Sequence, residues 1–294
     1  MSKIIVIGGS NIDIFALSDK ALKAHDSNPG SVLEAFGGVG RNIAENLGRL
    51  ELKPTLITAI AKDDVSRFNK HLSDAGVNLE VILSEKTSQY VAVLDNHYDM
   101  YVAVSAMQSY EKLKYEDFMS YLPLIQKAKF LVIDTNLDGD VIEEIIKETS
   151  AAIYVDAISS LKLLKIRRLL TSIDVIKLNE IEARSLFDSE LSLEQLLQKL
   201  QRLGPKRIYL TMGAKGAYAV TRETIQYRTV IKAEKTFTTG AGDAFLSGVI
   251  YADINGLDSL LYGQLNARFC LDALSAVNPK LTPMNLEKLR REQT

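Results

Sequence analysis

The chain has 294 residues, 47% of them hydrophobic and 24% charged, with a formal net charge of −2. That composition is ordinary for a globular protein, and the near-neutral balance offers no basic field for a nucleic-acid partner. A lone cysteine, Cys270, excludes an intramolecular disulfide and reads as a buried structural thiol; the three histidines (His25, His71, His97) lack zinc-ligand spacing, and no run reaches the roughly 20 apolar residues of a membrane span. In chain order, Ile4–Ile7 reads as a short buried strand, too brief for a signal peptide, so a cytoplasmic protein is expected. Ile12–Phe36 shows no helix. Arg41–Leu50 and Val65–Ala75 are predicted helices on either side of a strand at Thr55–Ala59. Lys86–Met107 reads as two alternating strands around Asp95–Asp99, a hairpin signal. Strands at Phe130–Asp134, Ile153–Asp156, Val175–Leu178, Ile208–Thr211 and Ala217–Val220 follow. They alternate with helices at Asp138–Thr149, Leu161–Leu169, Ile181–Leu186 and Leu193–Leu203, and helices at Ala244–Ile254 and Leu257–Ala276 come last.

Strands apolar throughout, alternating with helices, predict an α/β fold with a mostly parallel sheet covered on both faces. One domain over residues 1–294 is expected. Residues 12–36 and 86–107 interrupt the rhythm, and a small antiparallel sheet projecting from that domain would accommodate them. Two ordinary surface hairpins are the alternative.

The most informative run is Thr238-Thr239-Gly240-Ala241-Gly242-Asp243-Ala244-Phe245. Small glycines lead into an apolar helix, whose first turn leaves N–H groups without partners at the positive end of the helix dipole. With no Cβ in the way, an anion can approach that backbone closely. An acid there needs a reason. Asp243 can take a proton from a hydroxyl attacking a phosphoryl group held by Gly240, Ala241 and Gly242. The plainer reading is a stabilising first-turn aspartate.

Other polar clusters follow strands, where ligands bind in such sheets. After the first strand, Gly8-Gly9-Ser10-Asn11-Ile12-Asp13 lacks the Gly-x-Gly-x-x-Gly spacing of a dinucleotide site. Asn11 and Asp13 alternate on an extended segment, so both point one way and suit paired sugar hydroxyls; an Asx-turn is the alternative. Gly37-Gly38-Val39-Gly40-Arg41-Asn42 opens the first helix, with Arg41 and Glu45 spaced as a helix surface pair. Asn179 and Glu182 have the spacing of a capping box, which leaves Glu180 to face a cleft. Thr211-Met212-Gly213-Ala214-Lys215-Gly216 is a strand-to-strand turn and not a Walker loop.

Three of these runs together resemble the ribokinase-like (PfkB) carbohydrate and nucleoside kinases: Gly37–Ala44, Lys177–Ala183 and Thr238–Phe245, in matching order and spacing over nearly the whole chain. Within the family, Gly37-Gly38-Val39-Gly40-Arg41-Asn42-Ile43-Ala44 is most similar to pseudouridine kinases. The resemblance implies a three-layer α/β/α sandwich with a small β lid, and ATP-dependent transfer of the γ-phosphate to the 5′-hydroxyl of pseudouridine or of another nucleoside or sugar. It implies Asp243 as base, with Gly240, Ala241 and Gly242 as the anion hole. Asn11, Asp13, Gly38, Asn42 and Asn136 would hold the ribose, with Thr87 and Tyr90 of the lid at the base. Asn179 and Glu180 would organise Mg²⁺ through water. Thr211, Gly213, Gly216 and Asn266, with the Ser275–Asn278 region, would hold ATP. A homodimer through the lid is a further implication. Two departures stand out. Phe237 occupies a position where many members carry an acid that helps hold a monovalent cation, so potassium activation is not expected. Ala106 and Gln108 stand where pseudouridine kinases carry aspartates. A nucleoside-binding sensor that retains the fold is the non-enzymatic alternative, against which the intact Gly240–Asp243 run argues.

Overall fold

The computed structural model describes residues 3–97, 99–187, 190–233, 239–273 and 275–293. Its strands are β1 (Ile4–Ile7), β2 (Asn11–Ser18), β3 (Gly30–Gly37), β4 (Thr55–Ala61), β5 (Asn78–Ser84), β6 (Ser88–Leu94), β7 (Met100–Ala106), β8 (Phe130–Asp134), β9 (Ala152–Asp156), β10 (Val175–Asn179), β11 (Arg207–Thr211), β12 (Ala217–Val220) and β13 (Ile225–Arg228). The α-helices are α1 (Val39–Arg49), α2 (Val65–Asp74), α3 (Gln108–Glu111), α4 (Leu122–Ile125), α5 (Gly139–Lys147), α6 (Ser160–Lys165), α7 (Glu180–Ser185), α8 (Leu193–Leu200), α9 (Ala241–Asn255), α10 (Ser259–Leu271) and α11 (Pro283–Glu292).

Nine strands form one sheet in the order β13-β12-β11-β10-β9-β8-β1-β4-β5. It is parallel from β11 to β5, with β12 and β13 each antiparallel to its inner neighbour. Successive side chains on a strand point to opposite faces, so apolar strands need cover on both. Ile5, Ile7, Leu131 and Ile133 pack on one face with Ile142 and Ile145 of α5, Leu163 of α6 and Leu196 and Leu200 of α8. Ile4, Val6, Leu56 and Val132 pack on the other with Ile43 and Leu47 of α1, Phe68 and Leu72 of α2, Phe245 and Val249 of α9 and Leu260 of α10. The result is a three-layer α/β/α sandwich.

A second sheet has the order β3-β2-β6-β7. Its outer pairs are antiparallel, but β2 and β6 at its centre run parallel, which corrects the expected all-antiparallel sheet. Connectivity explains this. β2 follows β1 and β6 follows β5, and β1, β4 and β5 are mutually parallel, so both strands leave the main sheet in the same direction.

Other differences are local. β5 was not expected, because Asn78-Leu79-Glu80-Val81-Ile82-Leu83-Ser84 mixes polar and apolar residues as an edge strand does. The helix expected over Leu161–Leu169 ends at Lys165 and gives way to a tighter 3₁₀ turn over Arg167–Ser172. α10 stops at Leu271, short of the expected Ala276. No helix among the described residues is long and apolar enough to cross a membrane.

Candidate active site

Helix starts locate the site. Asp138, Ser159, Asn179, Ser192, Asp258 and Thr282 cap α5, α6, α7, α8, α10 and α11 with side-chain acceptors. Helices α1 and α9 begin instead on Gly38 and Gly240, which bring no capping side chain. Both glycines have positive φ, 101° and 82°, a region that L side chains rarely occupy. A Cβ on Gly240 would overlap the carbonyl oxygen of Ala276, so this turn admits glycine on two separate grounds. The first-turn N–H groups of α9 thus remain available to an outside acceptor.

Two clefts meet at that turn. One, of about 620 Å³, lies under the second sheet and is lined by Asn11, Asp13, Gly38, Asn42, Asn136, Gly240 and Asp243 together with Tyr90, Ser105 and Met107. The other, of about 590 Å³, is lined by Lys177, Asn179, Thr211, Gly213, Gly216, Ala241 and Gly242, with apolar walls from Ala214, Val230, Ile231, Ala267 and Leu271. Asp243 therefore faces one cleft from the same helical turn that opens Ala241 and Gly242 to the other.

Asp243 is buried and accepts a 2.7 Å hydrogen bond from Asn42 Nδ2. Burial pushes its carboxyl up to about 7, helped by the neighbouring Asp156 charge and opposed by Lys177, the Asn42 bond and Arg41. A carboxylate poised near neutrality suits proton transfer from a hydroxyl. Lys177 is buried against it and forms a 2.9 Å ion pair with Asp156 Oδ2. Burial disfavours its charge, but Asp156, Glu182 and Asp243 overcome this and hold the ammonium above its usual range.

The acceptor-side groups are held by one buried carboxylate. Asp134 accepts from the N–H groups of Gly9 (2.6 Å), Gly40 (2.8 Å) and Asn136 (3.0 Å), tying the turn after β1, the start of α1 and the end of β8 together. Asn11 Nδ2 donates to Asp13 Oδ1 at 2.5 Å, so the two side chains share one face of β2. Burial raises the Asp13 carboxyl, with Asn11 and Arg41 opposing. Arg41 does pair with Glu45, as its spacing predicts, but not on the surface. The pair is buried, and Arg41 also donates to the carbonyls of Phe36 and Gly37 at the end of β3. His71, Arg41 and Arg49 hold the Glu45 carboxyl well down, at about 2, against the opposing effect of burial.

Three expected site residues lie elsewhere. Glu180 forms an ion pair with Arg184 one turn on, where both gain from helix spacing. Glu182 takes the inward position: both its oxygens accept from Asn179, and it lies beside Lys177. Thr87 accepts from Ala61 N–H and donates to Asp64, fixing the base of β6 without lining the cleft. Asn266 is buried between helices, where its Nδ2 donates to Ala244 O at 2.7 Å, so it joins α10 to α9. Ser275, Ala276 and Val277 border a smaller cavity of about 220 Å³ beside Thr239. Phe237 and Thr238 lie outside the described residues. Ser105 and Met107 line the first cleft, whereas Ala106 and Gln108 between and beyond them do not.

Lys177, Asp156, Asp134 and Lys162 were not singled out from sequence, and Glu182 was read only as the capping-box partner of Asn179, which it is. A signal existed for three of them. Asp134 and Asp156 both end apolar strands, where ligands bind, and Lys177 interrupts a third at its middle.

The apolar walls and the cationic Lys177 beside open N–H groups fit a nucleotide: a flat base between apolar side chains, phosphates at the helix start. No cluster of three or more His, Cys, Asp or Glu among the described residues is placed to hold a metal ion. A divalent ion arriving on phosphates needs only one or two protein ligands; Asn179 lines this cleft, with the buried Glu182 carboxylate bonded behind it.

A family model described as pfkB family carbohydrate kinase matches residues 1–273. Pseudouridine kinase from Escherichia coli (strain K12) is 30% identical over 97% of this chain and 96% of its own. Among solved structures, ribokinase from Thermotoga maritima superposes with a TM-score of 0.86 at 20% identity, covering 99% of this chain and 100% of that one. A ribokinase from Arabidopsis thaliana, complexed with ribose and ATP, gives 0.83 at 20% identity over 97% of each chain. The fold is ribokinase-like, and the chain belongs to the pfkB family of carbohydrate kinases.

Proposed function

We propose that this kinase transfers the γ-phosphoryl group of ATP to the 5′-hydroxyl of pseudouridine. The observation that carries the reading is the meeting of two clefts at the start of α9, with a buried carboxylate raised towards neutrality between them. The acceptor lies in the first cleft, its ribose hydroxyls on Asn11, Asp13, Gly38 and Asn42. Its primary hydroxyl faces Asp243, which takes the proton as the oxygen–phosphorus bond forms and the bond to the β-phosphate oxygen breaks, releasing ADP. The N–H groups of Ala241 and Gly242 with the glycine turn at Gly240 stabilise charge gathering on the transferred group. The nucleotide lies along Thr211, Gly213 and Gly216, its phosphates near Lys177. Mg²⁺ accompanying it would neutralise phosphate charge, met by Asn179 and Glu182.

The second sheet serves as a lid that excludes water. Arg41, by gripping the carbonyls of Phe36 and Gly37, fixes one root of that lid to α1. The exposed apolar side chains Val32, Leu33, Tyr101, Val102 and Val104 fit an interface between two copies. Likeness to the Escherichia coli pseudouridine kinase supports the acceptor, and Ser105 and Met107, rather than the departures Ala106 and Gln108, form the cleft wall.

The test is ADP release from ATP-Mg²⁺ with pseudouridine, uridine, other nucleosides, ribose and fructose offered in parallel. A preference for pseudouridine is expected. Turnover of a bare sugar with no nucleoside turnover would sink the acceptor reading and leave the kinase.

A further inference from the structure

One cationic group in the first cleft has no part in the chemistry above. Lys162, on α6, lines the cleft and is half-buried, with Nζ 2.5 Å from Asn136 Oδ1. Its placement is costly. Ile158, which also lines the cleft in the turn leading from β9 to α6, has φ 59°, an outlier for a β-branched residue. Ile158 N–H is held by Asp156 Oδ1 at 3.0 Å and the Ala157 carbonyl by Thr135 Oγ1 at 2.6 Å, contacts that over-determine the turn. Backbone strain of this kind persists where surrounding bonds enforce it and gathers at binding sites.

The chemistry of the pair is one-sided. A lysine ammonium only donates. Because Asn136 Oδ1 accepts from Lys162, the asparagine is left with its Nδ2 donors, and Asn136 lines the same cleft. Two adjacent donors require an acceptor atom on the ligand. An anionic ligand would meet Asp13 and Asp243 in the same cleft, so a neutral, electron-rich carbonyl is the better complement. Burial holds the Lys162 ammonium below its ordinary range, consistent with service as a hydrogen-bond donor to a neutral group.

We infer that Lys162 and Asn136, in place of the ribose contact expected of Asn136, read the base carbonyl that lies across the ring from the glycosidic bond, where cytosine carries its amino group, and so select oxo-bases over amino-bases and over acceptors with no base. This rests on the nucleoside-kinase reading and deepens it. An amino group at that position would face two donors with none of its own needs met, and a buried polar site left unpaired discriminates strongly.

The experiment compares kcat/KM of wild type, Lys162→Met and Asn136→Ala for uridine, pseudouridine, cytidine, ribose, fructose, a sugar acid and a sugar phosphate. Thermal melts establish that each variant folds, and equilibrium binding of uridine and cytidine to the wild type, without nucleotide, gives a second readout. Wild type should favour uridine over cytidine in both binding and turnover. Lys162→Met should cut kcat/KM for the oxo-bases by about 10- to 100-fold, and the uridine-to-cytidine ratio should fall by a similar factor. Equal losses for uridine, cytidine and ribose would overturn the inference, as would a wild type that does not separate uridine from cytidine or that prefers a sugar acid or sugar phosphate. Failure of the nucleoside reading is seen separately, as wild-type turnover of ribose or fructose with none of any nucleoside.

Discussion

Removing the Asn42 side chain tests whether Asp243 is the base and what tunes it. Asn42 Nδ2 donates a 2.7 Å bond to Asp243 Oδ2, and both residues are buried. A hydrogen bond to a charged group contributes about 1.5–3 kcal/mol. It stabilises the ionised carboxylate more than the neutral acid, and each pKa unit corresponds to about 1.4 kcal/mol. Asn42→Ala should therefore raise the Asp243 carboxyl by roughly one to two units above its position near 7. A general base works only when deprotonated, so activity falls as pH drops through this value. The assay is kcat/KM for the nucleoside against pH from 5.5 to 10 at saturating ATP, chosen because that ratio reports groups on the enzyme before the acceptor binds. The acidic limb should move upward by one to two units in the variant. Loss of a ribose contact alone would lower the whole profile without moving the limb. A limb that stays in place would refute the idea that Asn42 sets the basicity of Asp243.

Three further outcomes follow from the geometry. Glu180→Gln, on the helix surface with Arg184, should keep kcat within about two-fold, while Glu182→Gln should lower it about 10- to 100-fold and raise the Mg²⁺ needed; steady-state titration of Mg²⁺ decides, and the reverse order would contradict the assignment of the inward position. Because the Asp243 carboxyl is raised on folding, its ionisation opposes folding above that pKa and not below the unfolded value. Asp243→Asn should thus melt higher than wild type at pH 8, with the gap closing towards pH 4; a gap that widens on acidification would contradict the burial argument. Sedimentation should show a dimer that Val102→Glu with Val104→Glu dissociates, and a monomeric wild type at micromolar concentration would remove the proposed interface.

The layered α/β fold was legible because Phe130–Asp134 and Val175–Leu178 are apolar at all but one position each, which only a strand covered on both faces can use. The β5 edge was not, since Glu80 and Asn78 face less buried surroundings and blur the pattern. The glycine turn at Gly240 and the Asn11–Asp13 pairing followed from local spacing. Which of Glu180 and Glu182 turns inward was not legible, because residues two apart on a helix differ by about 200° in direction and spacing alone does not say which is buried. In the structure Glu182 is the buried one, beside Lys177, and Lys177 itself was legible only as an interruption of an otherwise apolar run. Asn266 and Thr87 were drawn into the site by position along the chain. Their bonds to Ala244, Asp64 and Ala61 depend on long-range packing that no local pattern encodes.

The central claim is that Asp243 takes the acceptor's proton, and the direct measurement is ADP release by Asp243→Asn beside nucleoside binding by calorimetry. Turnover should fall by several orders of magnitude while nucleoside affinity stays within about ten-fold of wild type, since the amide keeps the carboxylate's shape and loses its basicity. Turnover close to wild type in that variant would contradict the mechanism.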